Sequence, residues 1–200
     1  MTDTKNNRPR GRPRRFDPEQ GIAVAQQLFH GRGYDAVSVA DITTALGINP
    51  PSFYAAFGSK LGLYGRVLNR YAATEAIPLA ELLRADEPVA ACLTAVLEDA
   101  ARRYAGNPDA TGCMVVEGVR SDDPDARAAA CVFQRGAEEA ILDYVAARHP
   151  DKAGEVTDFV GATMTGMSAR ARTGLSLDRL MAIARIAGQA IAQTIDGQVS

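Results

Sequence analysis

The chain has little of what staples or equips a small catalytic or secreted protein. Its three cysteines, Cys92, Cys113 and Cys131, are an odd number with no CxxC pair, which argues against a disulfide framework and a zinc site and predicts reduced thiols. The two histidines, His30 and His149, stand far apart without a carboxylate or thiol at ligand spacing, so no metal is expected. No phosphate-binding loop and no paired nucleophile and base can be found, so neither an enzyme nor a cofactor is expected. No apolar run approaches the roughly 18 to 20 residues of a membrane-spanning helix, and the N-terminus is polar and basic. The expectation is a soluble, cytoplasmic protein with no membrane partner. Internal repeats and alternating β-branched runs are also missing, which leaves helices as the building material.

What is present is ample for a core. Two hundred residues with 46% hydrophobic content suffice for one large or two small folded units without staples. The net charge of −2 conceals an uneven distribution. Residues 1–15 carry Lys5, Arg8, Arg10, Arg12, Arg14 and Arg15 against the single acid Asp3, so the rest of the chain is acidic. A basic arm on an acidic body places one end of the molecule against a polyanion. The arm has no apolar periodicity and is expected to be disordered in isolation.

From Asp17 onward the pattern is helical. Asp17-Pro18-Glu19 opens a helix with a capping carboxylate and a proline in its first turn, and Ile22, Ala25, Leu28 and Phe29 follow at helical spacing until Gly31 to Gly33. Ser38 with Asp41 forms a capping box ahead of Val39, Ile42 and Leu46, and Gly47 ends that run. Asn49-Pro50 starts a third helix carrying Phe53, Tyr54 and Phe57, and Gly58-Ser59 precedes a fourth from Lys60 to Tyr71. Longer helices are predicted at 87–104, 125–148, 153–172 and 177–195, with a short apolar piece at 113–119.

The segment 38–57 has the arithmetic of a helix-turn-helix: a helix of about eight residues, a glycine turn, and a second short helix. So short a helix is marginal alone and must be held by its neighbours. If Phe53 and Phe57 supply that anchorage, the outer face is free. Eight residues make a rod about 12 Å long, which matches a major groove about 12 Å wide.

The run from Phe16 to Lys60 resembles the DNA-binding domain of the TetR family. The resemblance is carried by Leu28-Phe29-His30-Gly31-Arg32-Gly33-Tyr34, then Ser38-Val39-Ala40-Asp41-Ile42, then Leu46-Gly47-Ile48 and Phe53-Tyr54-Ala55-Ala56-Phe57-Gly58-Ser59-Lys60. It implies an all-α protein with a three-helix helix-turn-helix domain at 16–60 and a helical ligand-binding and dimerisation domain at 61–200. It implies further that Ser38, Tyr54 and Lys60 contact phosphates, while Pro50, Pro51, Ser52 and Ala55 face base edges. A hydroxyl, a phenol and an ammonium at helix starts suit phosphate oxygens. The chain departs from the family where Pro50-Pro51 replaces a lysine or polar residue followed by glycine, so base reading is expected to lean on apolar contacts and on the arm. In the arm, Arg10, Arg12 and Arg14 alternate with glycine and proline like an AT-hook, an arrangement suited to a narrow minor groove.

The resemblance also implies partners: double-stranded DNA carrying an inverted repeat, a second copy of the chain, and a small apolar or amphipathic effector. Val96, Leu97, Met114, Phe133, Phe159, Met164 and Met167 are the candidate lining of the effector site. Small residues in the last two helices, such as Ala162, Gly166, Ala182 and Ala190, give thin faces for a two-fold helical interface. Repression is the expected outcome, with activation and non-specific architectural binding through the arm as alternatives. Cys113 stands as a packing residue or a redox-responsive thiol.

Overall fold

The structure is a computed structural model that describes residues 16–197. Helices follow one another with short connections: α1 (Pro18–Arg32), α2 (Val39–Leu46), α3 (Pro50–Phe57), α4 (Lys60–Thr74), α5 (Leu79–Leu82), α6 (Val89–Gly106), α7 (Met114–Gly118), α8 (Pro124–Ala146), a 3₁₀ turn (Pro150–Lys152), α9 (Ala153–Arg172) and α10 (Leu177–Asp196). Among the described residues there is no strand, and the all-α expectation holds.

The starts of the first four helices form as their residues dictate. Asp17 accepts the Glu19 amide at 3.0 Å and Asn49 accepts that of Ser52 at 2.9 Å. Ser59 accepts the Gly62 amide at 2.9 Å. Ser38 and Asp41 complete the capping box, with the Asp41 amide on the Ser38 hydroxyl at 3.1 Å and the Ser38 amide on the carboxylate at 2.8 Å. Gly47 adopts φ 63°, ψ 32°, the left-handed turn that lets α3 leave α2 abruptly. The sequence pattern did not reveal α5, a four-residue turn without a side-chain cap.

Two apolar clusters result. The N-terminal one gathers Ile22, Ala25, Phe29, Ile42, Phe53 and Phe57 with Leu63, Tyr64, Val67 and Tyr71 of α4. It extends beyond the first four helices, because Met114 of α7 and Ala126 of α8 are also buried in it. A second cluster is built from α6, α8, α9 and α10, with α10 lying along α6. Gly118 is what lets α7 settle onto α4, since a Cβ there would stand 2.3 Å from the Tyr64 hydroxyl.

Polar ties fix α1 and the loop that follows it to the helices behind them. The Asp35 carboxylate receives the Ser121 hydroxyl at 2.8 Å and the Asp122 amide at 2.9 Å. His30 Nε2 donates to the Gly112 carbonyl at 3.0 Å, and Arg172 donates to the His30 carbonyl at 2.8 Å. Bonds of this kind, between residues 82 to 142 positions apart in the chain, hold the junction at several separate points.

Candidate functional site

The outer face of α3 is the first feature with functional geometry. Phe53 and Phe57 are buried on its inner side, their rings 5.5 Å apart, and Phe16 meets Phe57 edge-on at 5.9 Å. Pro50, Pro51, Ser52, Tyr54 and Ala55 are all exposed, with Tyr54 at 53%. The helix is thus an anchored rod that offers a proline-rich, nearly uncharged face with two hydroxyls. Its first turn carries no acid to repel a phosphate.

Two of the residues expected to touch phosphates are engaged elsewhere. Lys60 turns its ammonium inward: Nζ donates to the carbonyls of Tyr34 and Val37, each at 3.0 Å, and sits 3.8 Å from the centre of the Tyr34 ring. The ammonium of Lys60, expected to contact a phosphate, here closes the loop between α1 and α2 onto α4. Ser38 is exposed, yet its hydroxyl donates to Asp41 at 2.5 Å while accepting the Asp41 amide. The Ser38 hydrogen bonds hold the Asp41 carboxyl down at about 2, so an anion stands beside the hydroxyl. Arg10, Arg12 and Arg14 lie outside the described residues.

The second feature is a largely apolar cavity of about 160 Å³ lined by the end of α4, α5, α6, α7, α8 and α9 and open on one side. Phe133 and Met164 are in its wall. The other five residues expected there lie elsewhere: Val96, Leu97, Met114 and Met167 are buried but outside the cavity lining, while Phe159 points outward from α9 with 41% exposure. Helical periodicity marks these residues as apolar but cannot say which neighbour covers each of them. The wall also holds Cys113 and polar groups that the sequence pattern does not place there, namely Tyr71, Glu75, Tyr104 and Thr157. The Tyr71 hydroxyl donates to Cys113 Sγ at 3.6 Å. Burial drives the phenol of Tyr71, and that of Tyr104, well above its usual pKa, so both remain neutral donors.

The cavity wall is tied to α1. Glu75 lines the cavity and also accepts the side-chain amide of buried Gln26 in α1 at 2.6 Å. His30 lies edge-on against Tyr71 with ring centres 5.4 Å apart, and its Nδ1 is 3.9 Å from Glu75. No cluster of metal-ligating side chains occurs among the described residues, and no helix there is long and apolar enough to cross a membrane.

Comparison with known proteins gives this geometry a family. Residues 22–67 match the family model for bacterial regulatory proteins of the tetR family. The chain is 57% identical over 191 residues to the HTH-type transcriptional repressor BdcR of Escherichia coli (strain K12), covering 96% of this chain and 97% of that protein. It is 30% identical over 187 residues to the HTH-type transcriptional repressor ComR of the same organism, covering 88% and 89%. Among solved structures it resembles the TetR family transcriptional regulator CifR, a cysteine mutant complexed with 26-base-pair double-strand operator DNA. That match has a TM-score of 0.81 and 26% identity, and covers 90% of this chain and 99% of the other. The relatives are repressors and not enzymes, and the chain belongs with them to the TetR family as a helix-turn-helix transcriptional repressor.

Proposed function

We propose that the chain works in the cytoplasm as a homodimer that binds an inverted-repeat operator through two copies of α3 and is released by a small apolar or amphipathic effector. The observation that carries this reading is the outward face of α3, where Pro50, Pro51, Ser52, Tyr54 and Ala55 are exposed while Phe53 and Phe57 anchor the helix. Tyr54 is the phosphate contact best supported by its exposure. Ser52 supplies the hydrogen-bonding group of the base-reading face, with Pro50, Pro51 and Ala55 against thymine methyls. Residues 1–15 add a sequence-tolerant grip through Arg10, Arg12 and Arg14 in an adjacent minor groove.

A two-fold dimer places its reading helices about 34 to 36 Å apart, one turn of DNA. The faces of α9 and α10 suit that dimer. Phe159 and Ile186 are large apolar side chains with 41% and 66% exposure, and exposed Ala162 and Gly166 leave room for a neighbouring helix. In this reading residues 16–60 read DNA and residues 61–200 hold the effector and the partner, with α8 contributing to both packing clusters.

The cavity behind α4 is the proposed effector site, and Glu75 with Tyr71 supplies the physical route from it to α1. A coupling of about 1 to 3 kcal/mol would change operator affinity 5- to 150-fold. The test is selection of bound sequences from random DNA by the full chain. An enriched inverted repeat with half-sites one helical turn apart is expected, and enrichment without two-fold symmetry would defeat the dimeric reading. Removing residues 1–15 should weaken binding while preserving the selected sequence; loss of nearly all binding would favour the architectural alternative.

A further inference from the structure

Two buried hydroxyls in the cavity wall have nothing to bond. Tyr104 Oη and Thr157 Oγ1 have no hydrogen-bond partner, although the residues are only 1% and 7% exposed. Both line the cavity behind α4. Thr157 is unlike other helical threonines: Thr94 in α6, Thr163 further along α9 and Thr194 in α10 each donate to the carbonyl four residues earlier, at 2.6, 2.8 and 2.9 Å. Buried polar groups are almost always satisfied, so two orphans in one wall mark a place where a ligand completes the bonding.

The charges around the cavity narrow the ligand further. Arg103, the one cation among the lining residues, is paired with Asp99 and donates to the Glu75 carbonyl at 3.0 Å. The carboxylates of Glu75 and Glu138 are each bonded by a glutamine amide, from Gln26 at 2.6 Å and Gln134 at 2.7 Å. No free cation is left to receive an anionic ligand, and the carboxylates of Glu75 and Glu138 each have one oxygen already taken by an amide donor. An apolar cavity of roughly 150 Å³ admits a benzene-sized molecule. A volume of about 160 Å³ therefore suits about seven non-hydrogen atoms.

We infer that this cavity takes a small uncharged carbonyl compound, of the ketone, ester or lactone class, whose oxygen accepts from Tyr104 Oη with Thr157 Oγ1 as the second polar contact. The inference rests on the effector reading above and gives that site its chemical class. Because its phenol is held well above its usual pKa by burial, Tyr104 offers a proton across the whole physiological range. The remaining wall, including Ile77, Leu79, Ile141 and Met164, receives the hydrocarbon part.

Titration of the full chain with four ring-matched probes, followed by ligand-observed NMR, tests this: cyclohexanone, methylenecyclohexane, cyclohexanecarboxylate and cyclohexylamine. Cyclohexanone should bind about tenfold tighter than methylenecyclohexane, which replaces the oxygen by CH₂, and the two ions should bind more weakly than either. Tyr104→Phe should bring ketone and hydrocarbon to within about twofold of one another without weakening the hydrocarbon, and Thr157→Val should remove part of the preference. Both variants delete an unpartnered hydroxyl, so their melting temperatures should equal or exceed that of the parent and certify the fold. Equal binding of ketone and hydrocarbon, tightest binding of an ion, a preference that survives Tyr104→Phe, or no probe bound at millimolar concentration would each overturn the inference. Operator release is measured separately by fluorescence anisotropy. Release that ignores the polarity of the probe overturns the carbonyl class and leaves the effector reading intact, whereas the binding pattern without release does the reverse.

Discussion

Gln26, buried in α1, gives a side-chain amide proton to Glu75, the residue that ends α4, at 2.6 Å, while its own carbonyl oxygen bonds nothing. The pair is asymmetric in its energetics. Gln26→Leu removes the unpaired acceptor and keeps the volume, and the half-exposed Glu75 can then hydrate, so stability in urea should change by no more than about 1 kcal/mol. Gln26→Ala leaves a void in the same place and should cost about 1 to 2 kcal/mol more. If the two substitutions are equally costly, the hydrogen bond itself dominates and the asymmetry is refuted.

His30 gives stability a pH dependence of defined sign. Burial lowers its pKa below 6.5, with the Gly112 hydrogen bond and the Glu75 charge opposing the shift. The unfolded chain therefore binds a proton more readily than the folded one as pH falls through 6.5. The contribution of neutral His30 is fully present above that pH and is lost below it, by at most about 1.4 kcal/mol per pH unit. Denaturant titrations from pH 7.5 to pH 5 should show the decline, and His30→Gln should flatten it. A parent whose stability rises on acidification through that window contradicts the assignment.

Lys60 provides a test of what an ammonium at a helix start does. Lys60→Met should reduce stability by about 2 kcal/mol, because the carbonyls of Tyr34 and Val37 lose a charged donor. The salt dependence of operator binding should stay unchanged. A phosphate contact would instead lower the slope of log K against log salt by about 0.9.

For the α3 face the expected effects separate by role. Tyr54→Phe should weaken binding to all DNA sequences about equally, by about 0.5 to 1.5 kcal/mol, with melting unchanged. Ser52→Ala should alter the preferred base at one position per half-site. A Ser52→Ala variant with an unchanged selected sequence would remove Ser52 from base reading.

Phe159→Glu combined with Ile186→Glu should convert the proposed dimer to a folded monomer in sedimentation experiments. Both side chains are exposed in the single chain, so folding loses little, while two carboxylates per subunit would be desolvated in the interface. Persistence of the dimer would move the interface away from these helix faces.

The parts of this architecture written in local signals were legible from the sequence alone. Asp17, Ser38 and Asn49 each cap the helix that their side-chain chemistry announces, and the Gly47 turn follows from one residue. What failed to show were relationships between distant segments. Lys60 reads as an available charge until the carbonyls of Tyr34 and Val37, 26 and 23 residues earlier, are seen around it. Tyr104 and Thr157 read as ordinary members of apolar helices, because nothing local tells a core position from a cavity wall. Val96, Leu97, Met114 and Met167 illustrate the converse: the apolar pattern locates the interior, but three-dimensional packing alone decides where that interior leaves a gap.

The helix α4 enters the reading head at Lys60 and reaches the cavity wall at Tyr71, all within fifteen continuous residues, about 22 Å of rod. A molecule lodged against its far end thus faces a stiff beam instead of a chain of jointed parts. Under the proposed effector reading, a tilt imposed there is carried along the helix toward Lys60, so the two ends are expected to move together.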